Sequence, residues 1–433
     1  MDKHLRVLVV LPMYGGSLPV GRFCARALRR LGHTVEVLES PDFHSAYKAL
    51  EVLRVTSDRL QYLENSFLQV VSQAVLAKAE TFEPDLVLAL AQAPLSIQAL
   101  KRLRRDKVAT AMWFVEDFRL FTYWQAFAPH YDLFAVIQKE PFFEQLQGIG
   151  QPNALYLPLA ADPEFHRPLE LTPAERKEYG ADLAFMGAGY PNRRLAFRKL
   201  LREGFKIWGT EWEGDPVLKP YVQRNGARVS SEDCVKIFNA TAVNLNLHSS
   251  IQAEHLVTRG DFINPRTFEI AACGAFQLVD LRGLMSGAFA QDELATFTTM
   301  AELSEKIDYF IKNPEEREAF SRRGRARVLA EHTYDRRMDT LLDFAAERLP
   351  DWPRERSRAA ALDAGLPEHL RAEVAALLDR LGLPADVSFD DLVWAVRQQQ
   401  GALSDLDAAV LFLDEWRKLY VERRQQPGSR AGG

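Results

Sequence analysis

The segment DFINPRTFEIAACGAF (261–276) sets an arginine and a glutamate in the first turns of an expected helix. Asn264 is a favourable N-cap, and Pro265 suits the first helical position, where a missing N–H has no partner to lose. Phe268, Ala271 and Ala272 recur at helical spacing, and Gly274 can close the helix before the apolar run FQLV (276–279). Arg266 and Glu269 stand three residues apart, so both project from one side. An arginine at a helix N-terminus opposes the helix dipole, and a bound anion removes that conflict. Glu269 suits two sugar hydroxyls as an acceptor. It equally suits an ion pair with Arg266.

Three further loops carry candidate chemistry. YGGSLPVG (14–21) places Gly15 and Gly16 after an apolar run, either as a strand-to-helix turn or as backbone that a ligand approaches closely. It is not GxGxxG, and no acid follows at the spacing of a dinucleotide fingerprint. GAGYPNRR (187–194) offers Gly187 and Gly189 for close approach, and Arg193 or Arg194 as a bidentate phosphate clamp. WFVEDF (113–118) ends a buried run with Glu116 and Asp117. Either can act as a general base or orient an acceptor hydroxyl, and either can instead cap a helix. His130 and His248 stand near strand ends, where a lone histidine is more often structural. No HExxH or HxxxH spacing stands out, so no metal site is expected.

These loops punctuate a repeating pattern. RVLVVL (6–11), TVEVLE (34–39), DLVLAL (85–90), VATAMWFV (108–115), LFAVIQ (133–138) and ALYLPL (154–159) read as strands, mostly separated by helical segments, with a long helical region over 44–80. The charged, Pro-containing stretch 162–180 reads as a linker. The pattern then restarts with DLAFMG (182–187), FKIWG (205–209), AVNLNL (242–247) and AFQLVD (275–280), and residues 300–348 are mainly helical. Strand–helix alternation of this kind predicts an α/β fold of two tandem Rossmann-like, doubly wound domains facing across a cleft. The expected limits are 1–165 and 166–332, with a crossing helix at 333–350.

Residues 354–426 show no strand pattern. Leu366, Leu370, Val374, Leu377, Leu378 and Leu381 mark one helix ended by Gly382, and Ser388 with Asp391 and Ser404 with Asp407 signal the starts of two more. This predicts an all-helical appendage that can serve oligomerisation. The last residues, QQPGSRAGG, are expected to be disordered.

The chain has 433 residues, 47% hydrophobic and 26% charged, with a formal charge of −5. That balance fits a multidomain globular protein and excludes one that coats nucleic acid. Cys24, Cys234 and Cys273 are scattered, which suits a reducing compartment. The N-terminal apolar run is short and interrupted by Pro12, so it reads as a strand rather than a signal peptide. No run long enough to span a membrane occurs. A cytoplasmic location is expected.

The motifs LYLPLAADPEFHRP (155–168), AFMGAGYPNRR (184–194), SSEDCVKIFNATAVNLNLH (230–248), NPRTFEIAACGAFQLVD (264–280) and HTYDRRMDTLL (332–342) resemble the GT-B glycosyltransferases, and more narrowly the CgeB-like (spore maturation protein) family. The resemblance covers roughly 1–350. It implies transfer of a sugar from a nucleotide-diphosphate sugar to an acceptor hydroxyl, with no cofactor or metal. Asp261, after Gly260, stands where related retaining enzymes carry a glutamate near the sugar. Glu269 stands where they hold the donor ribose. Donor binding then falls to Gly15, Gly16, Gly187, Gly189, Arg193, Arg194, His248, Asn264, Arg266 and Glu269, and catalysis to Glu116, Asp117 and Asp261. The acceptor, a glycan, protein or lipid-linked group, is left open. Domain closure is expected to hinge near 160–180 and 333–348. Two alternatives share the architecture: a sugar-nucleotide epimerase, and a non-catalytic module that binds a nucleotide or a partner.

Overall fold

The computed structural model describes residues 4–251, 260–353 and 366–421, with Tyr420 and Val421 by backbone alone. The expected disorder of QQPGSRAGG and the last residues of the expected appendage lie outside the described residues.

The apolar runs become two parallel sheets. The first contains β1 (Arg6–Val10), β2 (Thr34–Leu38), β3 (Leu86–Leu90), β4 (Ala109–Phe114), β5 (Leu133–Val136) and β6 (Ala154–Tyr156), in the order β2-β1-β3-β4-β5-β6. β1, β3 and β4 are buried along their whole length, as helices on both faces of a parallel sheet require. The second contains β7 (Ala181–Met186), β8 (Phe205–Trp208), β9 (Thr241–Asn246), β10 (Gln277–Asp280) and β11 (Ala295–Phe297), in the order β11-β10-β9-β7-β8. Separate apolar clusters pack its two faces, one around Phe197, Ile207 and Phe297, the other around Trp208, Ile237 and Ile270.

Two elements differ from the sequence reading. The three-residue strand β11 was not expected; it is too short to show a period. The helical region over 44–80 is interrupted: Arg54 is left-handed at φ 51°, and the main helix is Ser57–Phe82. The helix at the opening segment forms as Pro265–Ala272. The Asn264 side chain accepts from the Thr267 N–H, and Gly274 is left-handed at φ 66°.

The chain passes between the halves twice, and the two passages run side by side. Ala161 and Thr333 form a parallel bridge, with Ala161 N–H donating to His332 O at 3.0 Å and Tyr334 N–H to Ala161 O at 3.0 Å. The buried Arg337 guanidinium donates to Pro158 O (2.6 Å), Leu159 O (3.2 Å) and Glu331 O (3.0 Å), and its Nη2 meets His332 Nδ1 at 2.8 Å. The returning helix, Tyr334–Arg348, packs on the Ser17–Arg30 helix of the first half. There Arg30 forks onto both Asp335 oxygens at 2.8 Å. Tyr334 lies fully buried against Phe23 and Trp113.

The C-terminal residues form a separate compact unit. Helices Glu368–Leu381, Phe389–Gln398 and Asp405–Trp416 close on Leu377, Leu378, Leu392, Val396 and Val410. The capping signals read from the sequence are made: Ser388 accepts from Asp391 N–H, and Ser404 and Asp407 cap reciprocally. No helix among the described residues is long and apolar enough to cross a membrane.

The crossing carries a pH signature. His332 donates through Nε2 to Ala288 O at 2.8 Å, so its Nδ1 is the acceptor facing Arg337. Protonation would set an N–H against a guanidinium in a buried site. Burial first, with Arg337 adding to it, pushes the imidazole down to about 4. Between that value and the ordinary histidine value of 6.5, the unfolded chain binds a proton that the folded chain refuses. Stability therefore falls on acidification through this window, by up to about 3 kcal/mol from this one group. The difference between wild type and His332→Gln in chemical unfolding, followed from neutral pH down to pH ~4, measures it. A pH-independent difference would assign the acid sensitivity elsewhere.

Candidate active site in the interdomain cleft

A cavity of about 850 Å³ opens between the two sheets. The first half supplies Asp117, Arg119 and Leu120 from the loop after β4. The second supplies Ser249, Ser250 and Ile251 after β9, Gly260, Asp261 and Phe262 before the Pro265–Ala272 helix, Leu281, Arg282 and Gly283 after β10, and Thr298 and Thr299 after β11. The strand-following loops leave the carboxyl ends of their strands, where doubly wound folds bind ligands. A shallower depression of about 540 Å³ lies at the amino ends of β7 and β9, between Asp182, Gly204 and Thr241, and gathers no comparable set of charges.

Two acids meet across the cavity. Gln138 Nε2 donates to Asp261 Oδ1 at 2.9 Å and to Asp117 Oδ1 at 3.3 Å. Arg119 donates to both Asp261 oxygens, Nη1 to Oδ1 at 3.4 Å and Nη2 to Oδ2 at 3.2 Å. Burial pushes the Asp261 carboxyl up, but Gln138 and Arg119 together hold it below the usual range, so it is ionised at neutral pH. Gly260 leaves room for the Arg282 guanidinium: a Cβ on it would lie 1.6 Å from Arg282 Nη2. Arg282 is held in place by Asp280 Oδ2 (3.2 Å) and Phe262 O (3.2 Å).

Glu116 occupies a neighbouring position on the first half. Its carboxylate accepts from Gln92 Nε2 and, at 2.9 Å, from the Tyr123 hydroxyl. Burial raises its pKa against the pull of those two hydrogen bonds. Gln92 also lies beside Gly15, and Arg228 of the second half donates to Gly15 O at 3.4 Å. Gly16 begins the Ser17–Arg30 helix without a side-chain cap.

Several residues expected to meet a phosphate are engaged elsewhere. Arg194 donates to three backbone carbonyls, Gly189 O (2.7 Å), Glu213 O (2.7 Å) and Glu211 O. Arg193 is buried and donates to Leu247 O (2.9 Å) and Ala188 O (3.0 Å). Burial pushes its guanidinium down to about 10. In this structure the two arginines tie the 187–190 loop to its neighbours. Gly189 does serve a close approach, but to protein: a Cβ would sit 2.1 Å from Glu211 O. Gly187 packs in turn under Gly209 and beside Phe185.

His248, expected on the donor, is fully buried and both ring nitrogens are in use. Nδ1 meets Asp280 Oδ1 at 2.7 Å, and Nε2 accepts from Asn264 N–H at 2.9 Å. It therefore positions the start of the Pro265–Ala272 helix, as does Asn246, which accepts from Asn264 Nδ2 at 2.7 Å. Arg266 and Glu269 form the ion pair that their spacing allows, with the buried His166 at 3.8 Å from the other Glu269 oxygen. Neither lines the cavity. Sequence reasoning missed Arg119, Gln138, Gln92 and Tyr123. The signal available was Gln138, a polar residue ending a buried strand run at its carboxyl side.

Two Rossmann-like halves with a cleft at their strand ends and a returning C-terminal helix define the GT-B class of fold. Within it, residues 171–343 match the family described as glycosyl transferase-like. The chain is 26% identical to spore protein CgeB of Bacillus subtilis (strain 168) over 271 residues, 60% of this chain and 82% of that protein. Its fold is similar to that of a glycosyltransferase from Rickettsia africae ESF-5, with TM-score 0.55 and 14% identity over 81% of this chain and 100% of the other. It is similar also to Anabaena Alr3699/HepE, solved in complex with UDP and glucose, with TM-score 0.54 and 10% identity over 79% and 100% of the two chains. At these identities the solved structures speak to fold alone.

The structural role of the 187–194 loop is testable. Arg194→Ala leaves three carbonyls without their donor and should cost about 2 kcal/mol of stability. Gly189→Ala should cost about 1–3 kcal/mol through overpacking. Thermal or denaturant unfolding reads both. A phosphate clamp at Arg194 would show the opposite pattern, lost affinity for a nucleoside diphosphate in a protein of undiminished stability.

Proposed function

We propose that the protein is a nucleotide-sugar-dependent glycosyltransferase that moves a sugar to an acceptor hydroxyl in the interdomain cavity without a metal ion. The observation that carries this reading is the cavity itself. It gathers the carboxyl ends of β4, β9, β10 and β11 and sets Asp117 and Asp261 from opposite halves against each other. The glycosyl transferase-like match over 171–343, and the shared fold of a HepE protein solved with UDP and glucose, support it.

In this reading Asp261 accepts hydrogen bonds from hydroxyls of the donor sugar. Glu116 takes the proton of the acceptor hydroxyl, its raised pKa bringing it nearer to working pH. Asp117 orients that hydroxyl. The leaving nucleoside diphosphate gains negative charge as the sugar departs, and preorganised positive groups stabilise it most at that moment. Arg282, Arg228 and the N-terminal N–H groups beside Gly15 and Gly16 supply them. Among the described residues no three His, Cys, Asp or Glu side chains gather where they could hold a metal ion. Closing the cleft over these groups keeps water from the activated sugar.

A thermal-shift panel of UDP, GDP, dTDP and CMP tests donor recognition. The correct nucleotide, at about 100 times its dissociation constant, should stabilise the fold by about 2.7 kcal/mol. No shift with any of them would remove the reading. Glu116→Gln should slow transfer by about a hundredfold or more while leaving nucleotide affinity unchanged. An unaltered rate would take the role of base from Glu116. Transfer should also survive EDTA, and strict dependence on an added divalent ion would overturn the arginine scheme.

A further inference from the structure

We propose that Arg119 and Gln138 are positioning residues: they reach from the first half across the cleft and fix the Asp261 carboxylate as the hydroxyl acceptor of the donor-sugar subsite. This rests on the glycosyltransferase reading above and adds to it two residues and a coupling between the halves.

The donors arrive as a rigid unit. Gln138 is fully buried, and its Oε1 accepts from the Phe118 N–H at 3.1 Å. That bond fixes the amide orientation, because a flipped amide would set Oε1 against two carboxylates and leave the Phe118 N–H facing a donor. Nε2 therefore points at Asp261 and Asp117. The Arg119 guanidinium lies over the Phe118 ring at 4.4 Å, and Phe118 is stacked on Phe142 at 4.3 Å. The Asp117 carboxylate also accepts from Arg119 N–H at 3.0 Å, closing the loop on itself. A fork of two N–H groups and one amide thus meets the two Asp261 oxygens from a preset direction.

An ionised carboxylate only accepts hydrogen bonds, so the partners that suit Asp261 are O–H groups such as those of a sugar ring. Keeping it ionised is not automatic. Asp117 is a second negative charge at the same donors, and burial opposes ionisation. Among the described residues, the other charged or titratable groups near Asp261 are Arg282 after β10 and Tyr156 at the end of β6, whose hydroxyl is pushed up to about 12 by burial and so stays neutral. Without Arg119, two carboxylates share one carboxamide. Asp261 then takes up a proton at higher pH and loses its fixed direction.

The experiment uses the full chain with Arg119→Ala and Arg119→Lys, each checked by thermal melting at every pH used. Calorimetric titration compares UDP with UDP-glucose and GDP with GDP-mannose, from neutral pH downward. In Arg119→Ala the affinity for the nucleotide sugar should fall about tenfold or more, while that for the nucleoside diphosphate is retained. The acid edge, where nucleotide-sugar binding weakens as Asp261 protonates, should move to higher pH. Arg119→Lys keeps the charge and loses the fork, so its acid edge should stay near that of wild type with intermediate affinity. Equal losses for diphosphate and nucleotide sugar, or an unmoved acid edge in Arg119→Ala, would overturn the proposal alone. Wild-type protein that binds none of the four would take the glycosyltransferase reading down with it.

Discussion

The architecture depends on one buried guanidinium with no carboxylate in contact among the described residues. Arg337 is 7% exposed and is satisfied by three carbonyl oxygens and an imidazole nitrogen. A charge removed from water to this extent is tolerable only with its hydrogen bonds made. Those acceptors come from both places where the chain changes halves, 158–159 and 331–332. One side chain therefore ties the outgoing and the returning strand of the chain together. The Arg30–Asp335 fork on the adjacent helix works in the same direction. The position of Asp117 against Asp261 rests on this crossing together with the Gln138 and Arg119 hydrogen bonds that join the two acids directly.

Arginine performs three distinct tasks in this fold, and the environment of each decides which. Arg194 and Arg337 bind carbonyls, because five fixed N–H donors suit loop backbone that has no ladder partner. Arg266 and Arg30 pair with carboxylates on helices. Arg119 alone among these bridges two acids across the cleft while remaining about half exposed. The cleft is thus built on a nearly balanced set of charges, in which a ligand hydroxyl or phosphate adds to existing pairs instead of meeting a bare field.

Most of the scaffold was legible in the sequence. Continuous apolar runs gave ten of the eleven strands to within a residue or three, because strands buried on both faces carry no polar alternation to blur them. The caps at Asn264, Ser388 and Ser404 were legible because capping is local chemistry within three residues. The cleft residues were only partly so. Asp117 and Asp261 were found from their neighbours in sequence, but the donors that join them lie 123 and 142 residues away from Asp261. The contacts of Arg193 and Arg194 were not legible for a related reason. Their partners are backbone carbonyls, which every residue has and no motif announces.

The bridge between Ala161 and Thr333 has a consequence for how such a chain can be rearranged. Residues 162–332 leave the first half and return to it at neighbouring points, so the whole second sheet is spliced into the first half as a cassette. Its two ends are already in register with each other. The family match, at 171–343, falls almost on this cassette. Contiguous ends are the condition under which a domain can be excised, exchanged or inserted without disturbing its host. A gene built this way can trade its second module in a single recombination event, while the first sheet keeps its own lineage.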